Sequence, residues 1–397
     1  MTKSADILFE LLRIALGTDD PSSVISHLSP TTDWEEVKQL AKQQQVEAIA
    51  ADGLVILSSF GQEVEKGREC GEGGESGEGG VNHLDGSVIP HPSSLILRVA
   101  PNSYSLSMDD LYEWRGSSIV CESDYEERKA VAEKMGLWWK ENGIRTIVLK
   151  GMAIAQYYPI PEHRYSCDLD VFVGNDWKRS NEILENHGIK ISYEQYKDAQ
   201  FHVDGVYVEN HRFITPVRGN KVMQKFERYL RSLLDKGVER INDSCLMVPS
   251  MLFNALFLVE HARGHLFEDR LNMRQILDWV VLRGKLTDED RETFHEAIDR
   301  YGFHNFLKMY DSLADLMEGK KGIEELTKTE RRVFDEMFAL KKKNSSEKSK
   351  SLFARRTHLF INILNNNWKY KAFNDCSMPV YLFRKTFTHF FQKEVRL

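Results

Sequence analysis

Asp168 and Asp170 stand two residues apart in the run Cys167-Asp168-Leu169-Asp170-Val171-Phe172-Val173. Apolar residues at 169, 171, 172 and 173 mark this run as a strand, and on a strand residues i and i+2 point to the same face. Two neighbouring carboxylates repel each other and resist ionising together. A divalent cation removes that conflict. Mg2+ takes a few carboxylates together with phosphate oxygens and water, so the pair predicts a site for Mg2+, or Mn2+ in its place, at which a phosphate group is handled. In the metal-free protein, removing one of two repelling acids should spare or improve folding.

Other residues must be brought to this pair. Upstream, Ile147-Val148-Leu149 is an apolar run short enough for a buried strand, ended by Lys150-Gly151. Met152 to Tyr158 can form a short helix, which Pro159 and Pro161 stop. Lys150 could meet a phosphate as a point charge, or simply reach water from a strand end. The Gly151 amide, at the start of that helix, offers an anion site. Arg164, four residues ahead of Asp168, could bind phosphate or brace Asp168 through a bidentate pair, and the bracing role is favoured. Downstream, Asp204-Gly205 lies between two alternating runs, a strong signal for a two-residue hairpin turn. The returning strand carries Tyr207, Glu209 and His211 on one face and Val206, Val208 and Asn210 on the other. With the valines toward the core, Glu209 falls on the open side, and a hairpin beside the Asp strand would let it approach the pair. His261 and His265 are i and i+4 on a helix running from Met251 to Leu266. They invite a zinc reading, but no third ligand has clear spacing, although Glu260 and Asp269 are near. A structural or substrate-facing pair is the better reading.

The order strand, Lys-Gly, short helix, Arg, Asp-apolar-Asp resembles the nucleotidyltransferase superfamily, whose catalytic fold is of the DNA polymerase β type. More closely, LKGMAIAQYYPIPEHRYSCDLDVFV (149–173) is similar to a bacterial branch of uncharacterised nucleotidyltransferases, with its Leu-Lys-Gly, Tyr-Pro, Arg and Asp-apolar-Asp. The superfamily has Gly-Ser after its first strand where this chain has Lys150-Gly151-Met152, and the gap to the first Asp is longer here. The close branch shares both departures. The resemblance implies a third carboxylate beside the pair, which Glu209 of Glu209-Asn210-His211 matches. It also implies a His-x-x-x-His helix with a later Asp; here His261 and His265 are followed by Asp269, Arg270, Arg274 and Asp278. The expected metal ligands are then Asp168, Asp170 and Glu209. Lys150, Gly151 and Arg164 would bind the nucleotide, and His211, His261 and His265 would face the substrate. The implied reaction is Mg2+-dependent transfer of a nucleoside monophosphate from a nucleoside triphosphate to an unknown acceptor hydroxyl or phosphate. Because Gly-Ser is absent, the rival is a nucleotide-binding or RNA-binding interaction protein of the same fold without turnover.

At 397 residues and 42% hydrophobic content, the chain can hold two or three domains with real cores. The fold class expected is α+β: a small mixed sheet at 120–215 flanked by helical regions. Residues 1–119 read as a helical N-terminal region, 216–340 as a helical domain and 341–397 as a basic, aromatic segment. GEGGESGEGG (71–80) cannot bury a core, so about 62–92 reads as a disordered insertion. Helical periodicity covers 3–17, and Thr32 with Glu35 suggests a capping box opening a second helix. No run of 18 apolar residues predicts a transmembrane helix. Asp6 and Glu10 inside the first apolar pattern argue against a signal peptide, and five scattered cysteines suit a reducing cytoplasm. The formal net charge of −7 hides an asymmetry, since 341–397 carries thirteen Lys/Arg against three acids. That tail could bind nucleic acid or an anionic surface, although a helical packing element with a basic solvent face explains it more simply.

Overall fold

The computed structural model describes residues 2–25, 28, 31–69, 106–194, 196–218, 220–241, 244–339 and 366–373. The chain divides into two compact units, 1–121 and 122–397.

The first unit is helical. Helix α1 (Lys3–Ala15) buries Ile7, Leu8, Leu11 and Leu12 at helical spacing, and the turn after it passes through Gly17. A short α2 (Pro21–Ile25) follows. Helix α3 (Trp34–Gln43) opens one residue later than the expected capping box would have it. Asp33, not Thr32, is its cap and accepts from the Glu36 amide, a role that Asp fills as well as Thr. Helix α4 (Glu47–Glu69) extends into the stretch read as an insertion, so 62–69 are helical. The rest of that insertion lies outside the described residues. Helix α5 (Met108–Glu141) is 34 residues long and leads into the second unit.

In the second unit β1 (Thr146–Val148), α6 (Gly151–Ala155), β2 (Leu169–Phe172), α7 (Trp177–Asn186), β3 (Ile191–Glu194), β4 (Asp198–Val203) and β5 (Val206–His211) follow in order. Next come α8 (Lys221–Lys236), β6 (Val238–Arg240), β7 (Leu246–Pro249), α9 (Met251–Glu268), α10 (Met273–Lys285), α11 (Asp288–Tyr301), α12 (His304–Met317) and α13 (Lys328–Phe338). The seven strands form one mixed sheet in the order β3-β4-β5-β2-β1-β7-β6. Two of them, β6 and β7, come from 238–249, a stretch whose sequence reads as part of a helical domain. They are only three and four residues long, too short to show a period of two, and β7 pairs in parallel with β1.

The β4–β5 hairpin turns at Asp204-Gly205, both with positive φ (49° and 90°), the geometry a two-residue hairpin turn demands. Its strand β5 pairs in parallel with β2, setting Asp170 opposite Glu209 and Phe172 opposite His211. One sheet face is apolar. Leu169, Val171 and Val208 pack there with Trp139 of α5 and Leu184 of α7. Asn210 also points that way, and its side-chain amide donates to Ser180 Oγ at 2.9 Å and Asn181 Oδ1 at 2.8 Å, fixing α7 to β5. The alternation leaves Asp170, Glu209 and His211 on the opposite face.

In the basic C-terminal segment, 366–373 form a helical turn. Lys369 is 1% exposed and donates to the Asp269 carbonyl at 2.6 Å and to Glu336 at 2.8 Å, while Arg332 lies over the Trp368 ring. This part of the tail is a packing element. The remainder of 341–397, including the linker 341–346, lies outside the described residues. Among the described residues no helix is long and apolar enough to cross a membrane.

Candidate active site

Asp170 is the centre of the site. It is 2% exposed, and its Oδ1 receives the Lys150 ammonium at 2.7 Å and lies 2.6 Å from His211 Nε2. Its Oδ2 is buried and has no hydrogen-bond partner among the described residues. A buried carboxylate oxygen without a partner costs about 1–3 kcal/mol or more, so that position asks for a ligand. Glu209, held opposite by the strand register, lies 3.5 Å from His211 Nε2 through Oε2. One potential ligand atom from each of Asp170, Glu209 and His211 fits within a span of 4.8 Å. Because His211 Nε2 already faces Asp170 Oδ1, the imidazole orients that carboxylate. The open coordination lies at Asp170 Oδ2 and at the Glu209 carboxylate.

The segment carrying Lys150 is held in an unusual conformation. Lys150 ends β1 and caps α6 with φ 47° and ψ −117°, a region costly for any residue with a side chain. The Leu149 amide donates to the Asp170 carbonyl at 3.0 Å, and with the ion pair it fixes the lysine there. Gly151 follows for a different reason. A Cβ at this position would lie 2.6 Å from Ser166 Oγ, and that hydroxyl donates to the Asp168 carbonyl at 3.0 Å. The glycine leaves that hydroxyl its place where the loop before β2 passes over the start of α6.

Electrostatics divide the site into two sides. Burial alone would raise the Asp170 pKa, but Lys150 and His211 hold its carboxyl well below the usual range, and Lys150 is correspondingly pushed up. Burial and the neighbouring Asp170 charge raise Glu209, and burial with the Glu209 charge raises Tyr207 to about 12. On α9, the His261 and His265 Nε2 atoms are 3.0 Å apart. Burial and the Lys150 charge push His261 well down and His265 to about 4. Both are neutral at pH 7.

Several expected partnerships change. Asp168 does not join the Asp170–Glu209–His211 group. Strand β2 begins only at Leu169, so Asp168 sits half-buried in the preceding bend and the i, i+2 argument does not reach it. Its charge still bears on Lys150 and Tyr207, so it stands close to the site. Arg164 does not brace Asp168. It grips Asp278 of α10 with Nε at 3.0 Å and Nη2 at 2.7 Å, and Tyr158 donates to the same carboxylate at 2.8 Å. Lys150, expected to meet phosphate or water, is instead ion-paired with Asp170. His211, expected to face substrate, is 0% exposed. His261 and His265 lie near enough for the Lys150 and Asp170 charges to act on them. Two further cations, Lys197 and Arg274, act on His265; neither has a local sequence signal that assigns it to the site. Asp278 had a signal of its own, a lone acid inside Ile276-Leu277-Asp278-Trp279-Val280, which a buried helix tolerates only with a partner.

With this geometry in hand, a family model described as "uncharacterised nucleotidyltransferase" matches residues 113–318, more than half of the 397-residue chain. The chain belongs to the uncharacterised nucleotidyltransferase family. The match contains Lys150, Asp170, Glu209, His211, His261, His265 and Asp278. Membership makes the protein a transferase, and the mixed sheet with flanking helices gives it an α+β fold. No curated protein matches the chain. Among solved structures, the antibiotic-resistance factor ANT(2'')-Ia is similar at a TM-score of 0.33 and 11% identity, over 44% of this chain and 92% of that one. A likeness of that size says nothing about substrate.

Proposed function

We propose that this nucleotidyltransferase moves a nucleoside monophosphate from a nucleoside triphosphate to an acceptor hydroxyl or phosphate, with Mg2+ or Mn2+ held by Asp170 and Glu209 and with Asp168 close to the site. The observation that carries this reading is the partnerless Asp170 Oδ2 beside Glu209. The donor set fits a divalent cation, being two carboxylates on adjacent strands, one oriented by an imidazole. When bound, such an ion neutralises charge developing on the phosphate oxygens and aligns the attacking and leaving oxygens.

The residues of the chain supply the remaining parts. Glu209, on the strand beside Asp170, could also orient an acceptor hydroxyl. Lys150 neutralises Asp170, and its ammonium, on the same side of the site, could also meet a phosphate oxygen. Gly151 keeps the loop of Ser166 and Asp168 close to the site. Arg164 acts through Asp278, as a fastener of that loop to α10, and takes no part in phosphate binding. His261 and His265 present a neutral polar wall toward the substrate. The free thiols of Cys121, Cys167 and Cys245 accord with a cytoplasmic setting.

A second reading, nucleotide binding without turnover, draws on the same ion pair, because Lys150 already stands where a metal would add charge. One experiment separates the two. The full chain is incubated with each of the four nucleoside triphosphates and with Mg2+ or Mn2+, while nucleotide binding and pyrophosphate release are followed. Metal-dependent pyrophosphate release supports transfer. Binding without release supports the silent protein, and neither binding nor release with any nucleotide rejects both.

A further inference from the structure

Two guanidinium groups share one backbone carbonyl beside the site. Arg164 Nη1 donates to the Tyr165 carbonyl at 3.2 Å and Arg274 Nη1 donates to it at 3.1 Å. Arg164 is neutralised by the bidentate pair with Asp278. Arg274 is not. Asp278 has both oxygens engaged by Arg164 and Tyr158, and Arg274 forms no ion pair among the described residues. Its Nε is buried without a partner. Burial and the adjacent Arg164 charge lower its pKa, and the charges of Asp278 and Asp168 offset this only in part. The side chain as a whole is half-buried, and a guanidinium with a buried, unsatisfied N–H and no ion pair is available to an anionic ligand.

The surroundings define that ligand. Arg274, Lys150 and Lys197 all act as positive charges on His265, and Asp170 acts on it as a negative one. This sign decides between two ligands for the His261–His265 face. The two Nε2 atoms are close enough to chelate a transition metal, but three cations nearby oppose a fourth. They favour a polyanion. A guanidinium fork matches phosphate oxygens in geometry as well as charge.

We propose that Arg274 anchors an anion subsite for the pyrophosphate end of the nucleoside triphosphate, across from the Asp170–Glu209 carboxylates and beside the His261–His265 pair. The identity of the anion rests on the nucleotidyl-transfer reading. The subsite itself rests on the unmatched arginine.

The test uses the full chain without divalent metal and inorganic pyrophosphate as the probe, with binding by calorimetry and thermal midpoints with and without the probe. Wild type binds pyrophosphate and melts higher with it. R274Q loses binding by about tenfold or more, the loss expected for a charged hydrogen bond, yet without the probe it melts close to wild type, because inside the protein it gives up one hydrogen bond to the Tyr165 carbonyl and no ion pair. R274K, which keeps the charge and loses the fork, falls between. Undetectable binding to wild type, unchanged binding to R274Q, or an R274Q or R274K protein that melts well below wild type or fails to fold would overturn the subsite. If turnover is found, R274Q should raise KM for the triphosphate. An unchanged KM would overturn the assignment to the triphosphate and leave transfer standing. Pyrophosphate binding that needs Arg274, in a protein that releases no pyrophosphate from any nucleotide, would keep the anion subsite and sink the transfer reading.

Discussion

Two buried cation–carboxylate pairs lie in the same unit, and they are built differently. In the Arg164–Asp278 pair the carboxylate accepts three hydrogen bonds, two from the guanidinium and one from Tyr158. In the Lys150–Asp170 pair, one carboxylate oxygen takes both the lysine and the His211 ring while the other has nothing. The lysine sits on strained backbone, and a second carboxylate, Glu209, stands beside the pair. The first pair ties the loop before β2 to α10 and leaves no room for a ligand. The second leaves unfilled coordination at the point where two parallel strands converge. A pair satisfied internally holds the fold, and a pair left incomplete marks where a ligand completes it.

The comparison breaks most readily at the satisfied pair. Asp278→Ala leaves Arg164 buried and uncompensated, and Arg164→Met does the same to Asp278. Each should lower stability by about 3–5 kcal/mol, and removing both should cost less than the sum of the two. Urea denaturation of the three variants measures this. A loss under about 1 kcal/mol for either single variant would show that the pair is not a fastener. Asp170→Asn should cost less, about 1–3 kcal/mol, since Lys150 loses its counter-charge but keeps a hydrogen-bond acceptor. The sign is opposite to the one read from two adjacent acids in the sequence, because Lys150 and His211, not Asp168, are the closest charges to Asp170. An Asp170→Asn protein more stable than wild type without metal would restore the repulsion argument.

Acid should act on the helical side of the site before it acts on Asp170. His265 is held at about 4 in the folded protein against about 6.5 unfolded. Its folded pKa is depressed, so the unfolded chain takes up the proton first as pH falls. The stability associated with a neutral His265 is complete above about 6.5 and is lost from there down to about 4, with a slope of up to about 1.4 kcal/mol per pH unit. His261, also depressed, adds to the slope in the same direction. Asp170 follows at lower pH. Its depressed carboxyl contributes stability that is complete above the ordinary carboxylate value near 4 and is lost as pH falls further. Denaturation midpoints from pH 7.5 to 4.5 should slope downward in wild type and less so in His265→Gln. Equal slopes would remove His265 from the buried set. The smallest effect on stability is expected from Gly151→Ala, about 1 kcal/mol, because the Ser166 hydroxyl it meets can rotate away. Its effect on metal-dependent activity should exceed its effect on stability, since that hydroxyl holds the Asp168 turn. Activity that falls no further than stability would reduce Gly151 to a packing residue.

How much of this was legible depended on the range of the signal. The hairpin and the face of Glu209 follow from a turn dipeptide and a period of two, both contained in eleven residues, 201–211. Asp168 stands one residue before β2, where strand alternation no longer fixes the face it takes. The partner of Arg164 lies 114 residues away, and no local pattern points across that distance. Strands β6 and β7 were hidden by brevity, and they belong to the sheet because β1 offers a parallel edge. Lys150 was recognised as a charge near the site, but its pairing with Asp170 depends on a backbone conformation that its residue type does not announce.

The central claim is that Asp170 and Glu209 together hold a catalytic metal. Mn2+ binding followed by electron paramagnetic resonance, on the full chain with a non-hydrolysable nucleoside triphosphate, tests it most directly. Wild type is expected to bind Mn2+, while Asp170→Asn and Glu209→Gln, checked for folding by circular dichroism, lose that binding. Mn2+ bound as tightly by both folded variants as by wild type would contradict the account.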